Sequence, residues 1–210
     1  MFDLECCVRL REFRPKDDLN RILALYHDTR VAPLITEQFI VPRGERLKDQ
    51  YKEIIANSAE MFCIIETIPK KTAFTLAPEG DTPQEKPAEK LVKDEPEFVG
   101  FTALWQFPER GHRLSTFSLV LRPEFWNKGY GTQITKFVVD HAFLYLNMHR
   151  IGLEVYEGNE RAMAVYRKIG FVDEGRQRKT RWVDGGWKDT FHMGILVDDW
   201  KQTRENLLQN

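Results

Sequence analysis

The chain has 210 residues, of which 42% are hydrophobic, 30% charged and 12% aromatic. That length and balance fit one globular domain with a buried core and exclude collagen-like, coiled-coil and wholly disordered classes. Basic and acidic residues nearly cancel, 31 against 32, for a formal net charge of −1, so no broad basic face for nucleic acid is expected.

Residues 7–13, CVRLREF, alternate apolar and polar and predict a strand. Pro15 and Asp17 then open a helix carrying Leu19, Ile22, Leu23 and Tyr26 at helical spacing. A proline-containing loop from Val31 to Gly44 leads to a second helix over about 45–57, with Leu47, Tyr51, Ile54 and Ile55 on one stripe. MFCIIETI (61–68) is a near-continuous apolar run of strand length. Between about 69 and 96 the text becomes rich in proline and charge, with Pro69, Pro78, Pro83, Pro87 and Pro96 making half of the ten prolines. Such a stretch buries too little apolar surface to offset chain ordering, so a solvated insertion inside a single 1–210 domain is expected.

Strand text resumes at FVGFTALWQF (98–107) and LSTFSLVLR (114–122), and a helix follows Gly131 with Ile134, Phe137, Val138, Ala142 and Tyr145 on one face. RIGLEVY (150–156) predicts a strand, and Ala162, Val165, Tyr166 and Ile169 stripe a short helix closed by Gly170. The last two strands meet at Asp184-Gly185-Gly186, and a polar helix runs from about Asp198. The class expected is α+β on one central sheet. No run approaches the about 18 apolar residues of a membrane-spanning helix, and MFDLECCVRLREF lacks the apolar core of a secretory signal. Cys6, Cys7 and Cys63 read as small buried strand residues and form no disulfide framework, and neither they nor the five histidines show zinc-ligand spacing, so a reducing, cytoplasmic setting without a metal is expected.

Two segments carry chemistry. In SLVLRPEFWNKGYGTQITKF a strand ends at Arg122-Pro123 and a loop, Asn127-Lys128-Gly129-Tyr130-Gly131-Thr132, enters a helix. Glycines at alternate positions let backbone approach a ligand, and the free N–H groups of the helix start favour an anion, above all a phosphate. No Gly-Lys-Ser/Thr follows, which disfavours a nucleotide P-loop. The second segment, Asn159-Glu160-Arg161-Ala162-Met163-Ala164-Val165-Tyr166-Arg167-Lys168-Ile169-Gly170-Phe171, is a capped helix. Taken singly, Asn159 is an N-cap and Tyr166 a core tyrosine.

In this order and spacing the two segments resemble the GNAT superfamily of acyl-CoA-dependent N-acetyltransferases. The likeness is specific over Ser118–Phe171 and covers about 8–197; the Trp-x-Lys-Gly-Tyr-Gly loop is similar to the branch of ribosomal-protein N-terminal and spermidine acetyltransferases. The resemblance implies a mixed, mostly antiparallel sheet splayed between strands 114–121 and 150–156, with acetyl-CoA as cosubstrate held in the gap. It implies that backbone of Leu119 and Leu121 holds the pantetheine arm and that amides of Asn127, Lys128, Gly129, Tyr130, Gly131 and Thr132 bind the pyrophosphate. It further implies that Asn159 bonds pantetheine and that Tyr166 protonates the leaving thiolate. Where many members carry Arg or Gln, this loop has Trp126, and Ser115, Thr116, Phe117 and Ser118 offer no carboxylate as base.

An attacking amine must be neutral; a lysine-like ammonium has a pKa of about 10.4, an α-amine about 8. Glu154, which shares a strand face with Gly152 and Tyr156, is the carboxylate candidate for base, with water as the other; Glu37 is a candidate for substrate contact. Arg176, Arg178, Lys179 and Arg181 alternate as a solvated strand face would, with an acidic substrate or RNA as the alternative, and Trp182 and Trp187 brace a hairpin, with lining of the acceptor cleft as theirs. The expectation is an N-acetyltransferase acting on a primary amine, small molecule or protein N-terminus, with a homodimer left open. The alternative is a non-catalytic acyl-CoA-binding or sensing module.

Overall fold

The computed structural model describes residues 1–36, 44–69 and 95–208. Its strands are β1 (Phe2–Leu4), β2 (Val8–Glu12), β3 (Ala59–Thr67), β4 (Phe98–Gln106), β5 (Leu114–Leu121), β6 (Arg150–Tyr156), β7 (Val172–Val183) and β8 (Gly186–Leu196). Its helices are α1 (Pro15–His27), α2 (Glu45–Ser58), α3 (Tyr130–Leu144), α4 (Glu160–Ile169) and α5 (Val197–Leu208). The strands form one sheet in the order β1-β2-β3-β4-β5-β6-β8-β7. Neighbours are antiparallel except β5 and β6, which run parallel, so the sheet is mixed and mostly antiparallel as expected.

The β5–β6 ladder has three pairs, Leu114↔Arg150, Ser115↔Ile151 and Thr116↔Gly152, and then stops. Past that point β5 stays paired with β4 as far as Leu121, and β6 with β8 as far as Tyr156. Each strand keeps its outer partner, so the two separate without either losing its place in the sheet. The result is the splay expected between 114–121 and 150–156.

Alternation along the strands feeds two cores. On one face Phe117, Ile151, Leu153 and Val155 pack with Ile134 and Val138 of α3, Met163 and Tyr166 of α4, and Trp200 of α5. On the other, Ile64, Phe101 and Val120 pack with Ile22 and Leu25 of α1 and with Val31. The buried Asp18 carboxylate ties α1 to the sheet: it accepts 2.8 Å bonds from both Nη atoms of Arg11 and one from the Arg14 amide at the helix start. Burial pushes that carboxyl up, but those bonds outweigh it and the net shift is downward.

Four details differ from the sequence-based expectation. A short β1 precedes β2, so Cys6 and Cys7 sit in the turn between them and Cys7 is exposed with φ of 62°; only Cys63 is buried. Helix α3 begins at Tyr130, because Gly129 at φ of 80° makes the turn into it. Tyr145 ends that helix 73% exposed rather than in the core. Arg181 is 6% exposed rather than part of a solvated face. The hairpin turn is as expected: Val183↔Gly186 closes on Asp184 and Gly185, both at positive φ. Most of the stretch expected as an insertion at about 69–96, and Glu37, lie outside the described residues. No described helix is long and apolar enough to cross a membrane.

Candidate active site

The gap between β5 and β6 opens into a cleft of about 380 Å³. Leu119 and Leu121 line one wall, Asn127, Gly129, Gly131 and Thr132 the end toward α3, and Asn159 and Tyr166 the wall toward α4. Eight of the residues proposed from sequence therefore meet in one place. Leu119 and Leu121 lie beyond the last β5–β6 pair, so their backbone on that side faces the cleft rather than a strand.

The loop before α3 is built to present its backbone. Asn127 and Gly129 both hold left-handed φ, 60° and 80°, so the chain folds back on itself just before the helix. The first-turn N–H groups of α3, left without partners by helix geometry, then add to a positive dipole end at the cleft. Lys128 and Tyr130 do not line the cleft but pack on Phe125, which does: the Lys128 ammonium lies 5.0 Å from the centre of that ring, and the Tyr130 ring 6.1 Å from it.

Asn159 caps α4, its Oδ1 accepting from the Ala162 amide at 3.3 Å. Asn159 lines the cleft, and its carbamoyl N–H groups are donors not used by that bond. Tyr166, one turn from the end of α4, stands against Phe117 and Phe171 with ring centres 6.0 Å and 5.7 Å away. Burial alone pushes its phenol well above the ordinary tyrosine range. The group is thus held protonated, the form a hydrogen-bond donor or acid requires.

Sequence reasoning placed Trp126 in the loop but gave no role to it or to other parts of the cleft. Trp126 lines it, fixed by a 2.9 Å bond from its Nε1 to the Leu121 carbonyl, and the Arg161 guanidinium lies 3.9 Å over its ring. Arg161 thereby brings a positive charge to a cleft whose loop has none of its own facing inward. Its proximity to Asn159 in N-E-R-A was the available signal. Val31, Leu34 and Ile35 close another side, a contact between distant segments that no motif announces. Arg181 anchors that segment, donating to the carbonyls of Pro33 at 2.8 Å and Thr36 at 2.5 Å while stacked 3.6 Å over Tyr156.

Glu154 does not share the cleft with Tyr166. Residues 151, 153 and 155 of β6 point to the helix-side core, so Glu154 is sent to the opposite face, where it lines a separate cavity with His192. Among the described residues no group of three or more His, Cys, Asp or Glu is arranged to hold a metal ion.

A model described as an acetyltransferase (GNAT) domain matches residues 8–172. The chain belongs to the GNAT acetyltransferase family. Among curated relatives of this GNAT chain, the spermidine N(1)-acetyltransferase of Escherichia coli K12 is 33% identical over 85 residues, 40% of this chain and 46% of that protein. The L-amino acid N-acetyltransferase AaaT of the same organism is 28% identical over 88 residues, 42% of this chain and 54% of that protein. The match thus spans about half the length of these relatives. A crystal structure of spermidine N-acetyltransferase from Vibrio cholerae with CoA and spermine shares the fold at a TM-score of 0.71 and 22% identity, over 93% of this chain and 98% of that one.

Proposed function

We propose that this GNAT protein transfers an acetyl group from acetyl-CoA to a primary amine by direct attack, without a covalent enzyme intermediate. The observation that carries the reading is the split between β5 and β6 with Tyr166 at its apex and the 127–132 loop, at the start of α3, at its far end. The pantetheine arm runs between the separated strands, bonded to backbone of Leu119 and Leu121 as an added strand would be and to the Asn159 carbamoyl. Amides of the 127–132 loop take the pyrophosphate, with Arg161 adding a charge-assisted contact to phosphate. The Tyr166 phenol donates to the thioester sulfur and protonates the thiolate as it leaves. Relatives named for spermidine and for an amino acid support an amine as acceptor.

A thermal-shift titration with acetyl-CoA, paired with a free-thiol assay across spermidine, amino acids and N-terminal peptides, tests this. A ligand that binds only the folded state, at about 100 times its dissociation constant, stabilises by about 2.7 kcal/mol. Stabilisation with thiol release establishes the transfer. Stabilisation without release from any amine leaves a CoA-binding module, and no stabilisation refutes both.

A further inference from the structure

Acetyl transfer as proposed above leaves the proton of the attacking amine without a destination, and the sheet face opposite Tyr166 supplies one. Gly152 pairs with Gly194 and Glu154 with His192 across β6 and β8, so all four share that face. With no side chain on Gly152 a cavity of about 180 Å³ opens beside Glu154 and His192, lined also by Thr116, Arg150 and Glu174. Its place is set by Thr116↔Gly152, the last β5–β6 pair. Phe117, the next residue of β5, holds Tyr166 on the helix side. A thioester reaching the end of the split has Tyr166 on one side of the sheet and this cavity on the other.

The charges in the cavity are uneven. Arg150 and Glu174 pair with each other and cover Gly194, occupying the space that a Cβ there would take. Glu154 has no cation from Lys or Arg among the described residues; the charged or titratable atom beside it is His192 Nδ1, 3.6 Å away. That gap is too long for a direct hydrogen bond and leaves room for one nitrogen to donate to both atoms. The other ring nitrogen, Nε2, is buried and has no hydrogen-bond partner among the described residues. With the proton on Nε2, Nδ1 turns a lone pair toward Glu154.

We propose that this cavity is the acceptor subsite: it takes the head of a primary aliphatic amine, held by Glu154, and His192 Nδ1 removes its proton. The ammonium first gives one proton through Nδ1 to water. As the resulting neutral nitrogen bonds to the thioester carbonyl carbon, its second proton passes to Nδ1, and the Glu154 carboxylate stabilises the imidazolium. The C–S bond breaks with its electron pair on sulfur, which takes the Tyr166 proton. The imidazolium then releases a proton to water and the phenolate recovers one.

Calorimetric titration of the CoA-bound protein with spermidine and with n-butylamine reads the subsite without relying on turnover. Gly152→Val fills the cavity at a position where an added Cβ meets its nearest neighbour at 3.9 Å, so the melting temperature and CoA affinity should hold. Its amine affinity should fall at least about tenfold, as loss of the occupied volume implies. Glu154→Gln and His192→Gln should each lower kcat/KM for the amine about 100-fold with KM for acetyl-CoA unchanged. Unchanged amine affinity in Gly152→Val, or a wild-type protein that binds neither amine, overturns the subsite. Unchanged turnover in both glutamine variants overturns the proton route. Amine binding that Gly152→Val abolishes, in a wild-type protein that releases no thiol, supports the subsite and refutes the transfer.

Discussion

The ring of Tyr166 stands edge-on to that of Phe117, with centres 6.0 Å apart and planes at 89°. Phe117 is the first residue of β5 past the end of its pairing with β6, so this contact places the phenol at the point where the sheet opens. Tyr166→Phe keeps the ring and removes only the hydroxyl. We expect kcat to fall about 100-fold, with the dissociation constant for CoA within twofold of wild type and the melting temperature unchanged. Equal turnover in the variant would remove Tyr166 as the acid.

The stack of Arg161 on Trp126 predicts a phosphate-dependent share of CoA affinity. A hydrogen bond to a charged group contributes about 1.5–3 kcal/mol, so Arg161→Ala should weaken CoA at least about tenfold. Binding of pantetheine, which lacks the phosphates, should not change, and dephospho-CoA tells which phosphate is touched. Equal losses for CoA and pantetheine would mean that Arg161 acts by packing.

The Arg11–Asp18 pair predicts a pH-dependent stability. Removing one partner of a buried ion pair costs about 3–5 kcal/mol, and Asp18→Asn, which keeps one acceptor oxygen, should lose near the lower end of that range at pH 7. The Asp18 carboxyl is held below its ordinary value in the fold, so its contribution is present above about pH 3.9 and is lost as pH falls through the folded value. Denaturant titrations of both proteins should therefore differ at pH 7 and converge in strong acid. A gap that persists unchanged at low pH would contradict this sign.

Gly100 in β4 predicts a steric penalty unrelated to chemistry. A Cβ there would overlap the backbone carbonyl of Val120 on β5, an atom that cannot swing aside. Gly100→Ala should cost about 1–3 kcal/mol, the range for overpacking, and lower the melting temperature without changing the ratio of KM values for the two substrates. Tolerance of alanine would show that the β4–β5 pair can shift.

The separation of Glu154 from Tyr166 shows where reading the chain residue by residue stops. Alternation already grouped Glu154 with Gly152 and Tyr156, and it correctly implies a face opposite to the helix-side core. The partner of Glu154, however, is His192, 38 positions later along the chain in the sequence and reached only through the β6–β8 register. A one-residue slip in that register would send His192 to the other face. Arg181 is a similar case: its spacing with Arg176 and Arg178 matches a solvated strand, and only the contact with the 33–36 carbonyls makes it a buried anchor.

The sequence by itself determined the two motif segments and the elements other than β1. Helical and alternating periodicities, the Asp184-Gly185 turn and the Asn159 and Gly170 caps are local properties, set by a few bonds along the chain. Tertiary structure alone decided how those segments combine: the early end of the β5–β6 ladder, the Trp126–Arg161 stack, the 31–35 wall of the cleft and the pairing of Glu154 with His192. Each depends on which strands adjoin and in what register, and burial of the whole core, rather than any local preference, selects that register.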